Sequence, residues 1–227
     1  MESLEAELSR ARELSVAELA DAVESIGFEC TRCGGCCTAE TSRSGETEPH
    51  TATLFPDEAR TLRAAASEVS GSEREWRDVA RPMPYGIDGD GEGETFEWAI
   101  QTDACGDCSF YTEDEDGTGA CAVHGSRPLV CRTYPFSVAL GGTSQPMGEA
   151  VDRDGIVRAH ECEGLGREIS RENAEELAAA LKQRAIRELE EAIGVRDGYE
   201  PRPEADGVVV HDSEGAKSPD GTPLEDE

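Results

Sequence analysis

The chain of 227 residues carries 50 Asp and Glu against 21 Lys and Arg, a formal net charge of −29, and its length asks for one domain with tails. Neutralising phosphates takes clustered cations, which this composition lacks, so neither nucleic acid nor an anionic membrane surface is an expected partner. The carboxylates are spread along the chain and not gathered in one block, as on a halophilic surface whose self-repulsion is screened by salt.

No run approaches the ~20 apolar residues of a bilayer span. The opening "MESLEAELSRARELS" is acidic and amphipathic, with no basic start leading into an apolar run, which gives the expectation of a cytoplasmic protein. Nine cysteines in a reducing compartment then point to metal ligation or thiol redox chemistry in preference to structural disulfides.

In chain order, Ser15 and Glu18 have the form of a capping box, followed by Val16, Leu19, Val23 and Ile26 at helical spacing and by Gly27 as a stop. "LFPDEARTLRAAASEV" predicts a second helix with Pro56 in its first turn. "SEREWRDVA" predicts a shorter one headed by Ser72 and Glu75. The Gly/Asp-rich "YGIDGDGEGE" reads as a mobile loop entering the strand-like "TFEWAIQT". Asp88, Asp90 and Glu92 lack the later bidentate glutamate of a calcium loop and are read as a solvated turn. Short strands are expected in "GACAVHG", "FSVALGG" and "EAVDRDGIVRAHE", with "DRDG" as a turn. The clearest helix is "SRENAEELAAALKQRAIRELEEAIG", capped by Ser170, with Leu177, Leu181, Leu189 and Ile193 as its apolar stripe and Gly194 as its stop. Beyond it, Pro, Gly and acids dominate and disorder is expected from about residue 203.

The cysteines fall into phrases: "CTRCGGCC", "CGDCSF", "GAC", "RPLVCRTYPF" and "CEGLG". A CxxC spacing brings two sulfurs onto one metal through a tight turn, with backbone amides left to donate to them. Gly34 and Gly35 can take the angles this turn needs, and Arg32, Arg127 and Arg132 put scarce cations beside cysteines. Pro128 and Pro135 stiffen the backbone on both sides of Cys131.

These phrases, in this order, resemble the CxxCxxCC cysteine-cluster family (YkgJ-like), a zinc- or iron-chelating domain often labelled an iron-sulfur oxidoreductase. The resemblance spans roughly residues 28 to 166. It implies that Cys30, Cys33, Cys36, Cys37, Cys108, Cys121, Cys131 and Cys162 are the metal ligands. Ser109 and Phe110 stand where the family pattern has an aliphatic pair, and Cys105 lies outside the pattern.

Eight thiolates would fill two tetrahedral zinc sites or surround an iron-sulfur cluster with ligands to spare, and spacing leaves both open. His124 and His160 lie close to cysteines in sequence but are read as surface or core residues, while His50 and His211 fall in loop-like or tail sequence. A protein that chelates metal is the first reading, an iron-sulfur oxidoreductase or electron-transfer protein the second. A module associated with protein methylation ranks lower for want of a Gly-rich donor-binding loop, as does a thiol redox protein for want of a βαβ pattern around either CxxC.

The expected architecture is α+β. It comprises N-terminal amphipathic helices over 1–27, a loop-rich cysteine-cluster domain with short strands over 28–166, a long packing helix over 167–195 and an acidic, largely disordered tail over 196–227. In the adjacent pair, Cys37 is the least secure ligand, because extended backbone would point it away from Cys36.

Overall fold

Ser3 and Ser15 start the first two helices by the same device. Their hydroxyls accept from Ala6 N and Glu18 N, both at 3.3 Å, and so satisfy amides that the first turn leaves without partners. The computed structural model describes residues 3–41, 45, 47–144, 150–152, 155–203 and 205–224. Its helices are α1 (Leu4–Glu13), α2 (Val16–Ile26), α3 (Pro56–Ser70), α4 (Leu129–Thr133) and α5 (Arg171–Gly198). With short strands in several small sheets, the fold is α+β. Among the described residues no helix is long and apolar enough to cross a membrane.

The chain forms two units, Met1–Cys36 with Leu129–Ile193, and Cys37–Pro128 with Gly194–Glu227. In the first, a three-stranded antiparallel sheet runs in the order Ala150–Asp152, Val157–His160, Phe136–Val138. Phe136, Val138, Val157 and Ala159 from this sheet share a core with Leu19, Ala20 and Val23 of α2 and Ala174, Ala178, Leu181, Ala185 and Leu189 of α5. Burying each large aliphatic side chain is worth about 1.5–3 kcal/mol. The alanines on α5 carry no side chain beyond Cβ, which lets the helix pack closely. Lys182 Nζ donates to Leu14 O at 2.7 Å just past the end of α1, where helix carbonyls lack partners.

The second unit holds an antiparallel sheet in the order Thr53–Leu54, Trp98–Ile100, Ala80–Pro82. A second sheet orders Gly215–Lys217, Val208–Asp212 and Gly93–Thr95, the last two strands pairing in parallel. Two-stranded ribbons join Glu40–Thr41 to Thr47–Glu48 and Tyr111–Glu113 to Gly119–Cys121. Helix α3 starts as expected at Pro56, with Glu58 reaching back to Phe55 N at 3.1 Å, and ends at Gly71 with φ 68°.

Several expectations are corrected. "SEREWRDVA" forms a single 3-10 turn, Trp76–Asp78, in which Asp78 accepts from Glu75 N at 2.8 Å and Ser72 is not the cap. "TFEWAIQT" is split between two sheets, Thr95 ending one strand and Trp98 starting another. Gly194 does not stop α5: a Cβ there would meet Ser213 Cβ at 2.7 Å, so the glycine serves a close approach while the helix runs on to Gly198. The "DRDG" turn lies partly outside the described residues. The loop at Asp88 is a turn, as read, with Asp88 Oδ1 accepting from Asp90 N and Glu92 N at 2.9 and 3.0 Å.

The largest correction concerns the tail. Val208–Asp212 and Gly215–Lys217 are strands, with Val209 and Val210 buried. Their β-branched run adds to a sheet instead of having to build a core by itself. Asp212 accepts from Trp98 Nε1 at 2.8 Å and from Lys217 Nζ at 2.7 Å, all three side chains buried, and Lys217 also reaches Glu214 at 2.8 Å. A Cβ at Gly221 would stand 2.5 Å from the Trp76 ring. Charge pairing and ring packing thus order a segment that looks disordered by composition.

Both tryptophans, Trp76 and Trp98, lie in this second unit, T-stacked at 5.0 Å, so fluorescence reports on it alone. Lys217→Met leaves Asp212 buried without its cation and is expected to cost about 3–5 kcal/mol, read as a lower urea midpoint in tryptophan fluorescence. Glu214 is held down to about 2 from its ordinary 4.5, first by the hydrogen bond from Arg60 and then, against opposing burial, by that from Lys217. With the folded value depressed, its stabilisation is complete above 4.5 and is lost as pH falls toward 2. Asp220, also held to about 2, by Ser218 and Thr222, titrates in the same window. Acid titration of the fluorescence should therefore show loosening between those values, and Glu214→Gln should flatten it.

Candidate metal centre

In the first unit the chain leaves α2 at Gly27, where a Cβ would meet Arg167 O at 2.4 Å and φ is 77°. Phe28 bridges Leu165, Glu29 N donates to Gly164 O at 3.0 Å, and Gly166 N donates to Gly27 O at 3.0 Å. This backbone clasp fixes the "CTRC" segment against "CEGLG". A Cβ on Gly164 would stand 2.3 Å from Glu29 O, so only glycine fits.

The "CRTYPF" segment is tied to the same place. Phe136 pairs with Ala159, His160 N donates to Pro135 O at 3.0 Å, and Tyr134 Oη donates to Glu161 O at 2.5 Å. The Tyr134–Pro135 peptide is cis. Three cysteine-bearing segments, those of Cys30, Cys131 and Cys162, therefore meet through main-chain bonds.

The charges agree with this convergence. Burial pushes the Cys162 thiol up, an amide of Gly164 donating to its sulfur at 3.4 Å pulls it down, and Cys33, Cys36 and Cys30 push it up again. The Tyr134 hydroxyl is raised by burial first and then by Cys162, Cys36 and Cys33. Cys33, Cys36 and Cys162 thus stand close enough to Tyr134 to interact electrostatically. Cys30, Cys33 and Cys36 are exposed, on a turn where Arg32 and Gly34 take φ of 60° and 80°. Gly35, expected to do the same, has no positive φ.

The second unit carries Cys37, Cys105, Cys108 and Cys121. Cys108 N donates to Cys37 O at 2.8 Å, and Tyr111, the strand partner of Cys121, donates its amide to Cys108 O at 2.9 Å. Cys108 is buried, whereas Cys37 and Cys121 are half-buried. Cys105 is exposed, its amide and that of Asp107 turned onto Asp103 Oδ1 at 2.8 and 3.0 Å. The unit boundary falls between Cys36 and Cys37.

Three of the four histidines have defined partners. His160 is buried, with Nε2 3.2 Å from Ser137 Oγ. His211, expected in a disordered tail, is buried 2.9 Å from Glu94. His50 is pushed down to about 4 by burial and then by Arg81, and its amide donates to Gly106 O at 2.8 Å.

None of the nine cysteines is in a disulfide. Among the described residues, no group of three or more His, Cys, Asp or Glu side chains is drawn together closely enough to hold an ion outright. The donor set nonetheless fits zinc or iron in its chemistry: soft sulfur ligands, an amide already aimed at one sulfur, and exposed thiols on a glycine turn that can swing without unpacking a core. Neither CxxC pair begins a helix, the setting that lowers a redox thiol's pKa. Reading the sequence missed Tyr134, which faces the thiols, and Arg184, a cation on the apolar face of α5 three residues after Leu181. That misplaced charge was the available signal.

A family model described as "CxxCxxCC: Putative zinc- or iron-chelating domain" matches residues 29–163. No curated protein and no solved structure matches the chain.

Gly164→Ala drives a methyl into Glu29 O and is expected to cost about 1–3 kcal/mol. The check is hydrogen exchange: the amides of Glu29 and Gly166 should exchange faster, while those in the strand Trp98–Ile100 keep their wild-type rates.

Proposed function

The chain belongs to the CxxCxxCC family of zinc- or iron-chelating domains, and from that premise we propose that it binds zinc or iron through cysteine thiolates in both of its units. Cys30, Cys33, Cys36, Cys131 and Cys162 are the ligands of the first unit, and Cys37, Cys108 and Cys121 those of the second. The observation that supports this reading is the set of main-chain bonds that ties the backbone before Cys30 and the Pro135–Phe136 backbone after Cys131 to the segments flanking Cys162.

When bound, zinc or iron would supply a divalent charge that stabilises the thiolate form of these cysteines. The protein's residues supply everything else. Gly164 N donates to sulfur, the glycine turn lets Cys33 and Cys36 reorient, and Tyr134 closes the side of the site facing Glu161. Closed all-thiolate coordination leaves no position for a reacting water, so chelation or structural support is favoured over hydrolytic chemistry. An iron-sulfur cluster uses the same donors. We place the protein in a salt-rich cytoplasm, where the acidic surface is screened and the thiols stay reduced.

Anaerobic purification followed by zinc, iron and acid-labile sulfide analysis decides between the metals. Zinc or iron should copurify, and sulfide together with visible absorption would identify a cluster. Cys33→Ser and Cys131→Ser should each lower the metal content. Unchanged stoichiometry in both variants would overturn the ligand assignment.

A further inference from the structure

Arg184 is an arginine on the apolar face of α5, its side chain 3% exposed. It lies beyond residue 163, where the match to the family model ends. Its Nε meets Glu188 Oε1 at 2.8 Å, which balances the buried charge. Nη1 donates to Thr133 Oγ1 at 3.0 Å and to Phe136 O at 3.3 Å, and Nη2 to Ser144 O and Oγ at 3.1 and 3.0 Å. Thr133 in turn donates to Leu129 O at 2.8 Å, closing the last turn of α4 from inside.

Helix α4 has five residues, Leu129–Thr133, with Cys131 at its centre. A helix that short has no stability of its own, because nucleation costs more than one turn of hydrogen bonds returns. Its position must come from tertiary bonds. Arg184 supplies them on both sides of the Tyr134–Pro135 peptide, at Thr133 and at Phe136. A guanidinium can do this because its planar fork presents five fixed donors, whereas an ammonium is a single point.

We infer that Arg184 is a positioning residue for the metal ligand Cys131, so that α5, outside the matched region, forms part of the metal-binding apparatus. This rests on the chelation reading above. Arg184 does not touch metal or sulfur; it acts through Thr133 and the backbone at Phe136.

The test uses the full chain loaded with inorganic zinc and follows alkylation of each cysteine by peptide mass spectrometry, with zinc affinity from a competing chelator. Arg184→Lys keeps the charge facing Glu188 but cannot span Thr133, Phe136 and Ser144 together. Thr133→Val removes the link from Arg184 to α4 together with the hydroxyl's own bonds to Leu129 O and Val130 O, and leaves the Arg184 bond to Phe136 O in place. In both, Cys131 should lose its zinc protection, with affinity falling about tenfold or more, while Cys30 and Cys162 stay protected. Ser144→Ala, which takes the hydroxyl from the other arm of the fork and leaves its carbonyl, should leave Cys131 protected as in the wild type. Wild-type protection of Cys131 in both Arg184→Lys and Thr133→Val overturns the inference. So does an equal loss at all five cysteines that tracks a lower melting temperature, since that is a purely structural effect. If zinc protects no thiol in the wild-type chain, the chelation reading fails and takes this inference with it.

Discussion

The first unit depends on the backbone clasp in which Glu29 N reaches Gly164 O and Gly166 N reaches Gly27 O. Apart from Cys121 in a strand and Cys131 in α4, the candidate cysteines lie outside helices and named strands, where backbone directions are free to aim several sulfurs at a point. Loops, however, hold no position unless their backbone groups are bound elsewhere. The clasp binds them at the end of α2 and just before α5, two helices already committed to a common core through Val23 and Ala174. Glycine is required at Gly27 and Gly164 because the strands of the clasp run too close for a side chain.

Electrostatics explains the placement of the cations. With 21 basic residues against 50 acidic ones, every Lys and Arg has carboxylates to choose among, and most such pairs on the surface are worth little. The informative cations are the buried ones. Arg184 and Lys217, one in each unit, are nearly inaccessible; Arg184 meets Glu188 and neutral acceptors for its other donors, and Lys217 meets Asp212 and Glu214, with Asp212 also accepting from Trp98. Such groups add little net stability over an apolar core, but removing one partner strands a buried charge, and they permit one arrangement of the segments they join. Here those segments are α4 in one unit and the C-terminal hairpin in the other. Lys217 was visible in the sequence as one of two lysines, yet its burial was not, because the tail was judged on its average composition.

What the sequence made legible follows from how local each signal is. The cap at Ser15, the first-turn proline at Pro56, the stop at Gly27 and the periodicity of Leu181 and Leu189 are encoded within a few residues, and α2, α3 and the start of α5 are where they were expected. The cysteine phrases were legible for the same reason, and through them the family. Pairing that joins distant segments was not legible. Nothing near Val208 announces that it will lie parallel to Gly93, and a run of three valines inside an acidic stretch reads as too little apolar surface unless a sheet edge is already waiting for it. Gly194 was misread because one residue type serves both for ending helices and for close approach, and only the neighbour, Ser213, decides which.

The same distinction bears on how the thiols are charged. Four thiolates around a divalent ion leave an excess of negative charge in a protein already at −29. Arginines stand beside several cysteines in sequence, and a backbone amide, that of Gly164, donates to the sulfur of Cys162. That choice has a physical logic. An amide held by the clasp is a fixed dipole that costs little to order when the thiolate forms, whereas an exposed arginine must be immobilised and is screened by dissolved salt. A main-chain dipole in a loop offsets thiolate charge without drawing on a side chain. Scarce cations are then free to act, buried, as struts for short elements, as Arg184 does at α4 and Lys217 in the C-terminal hairpin.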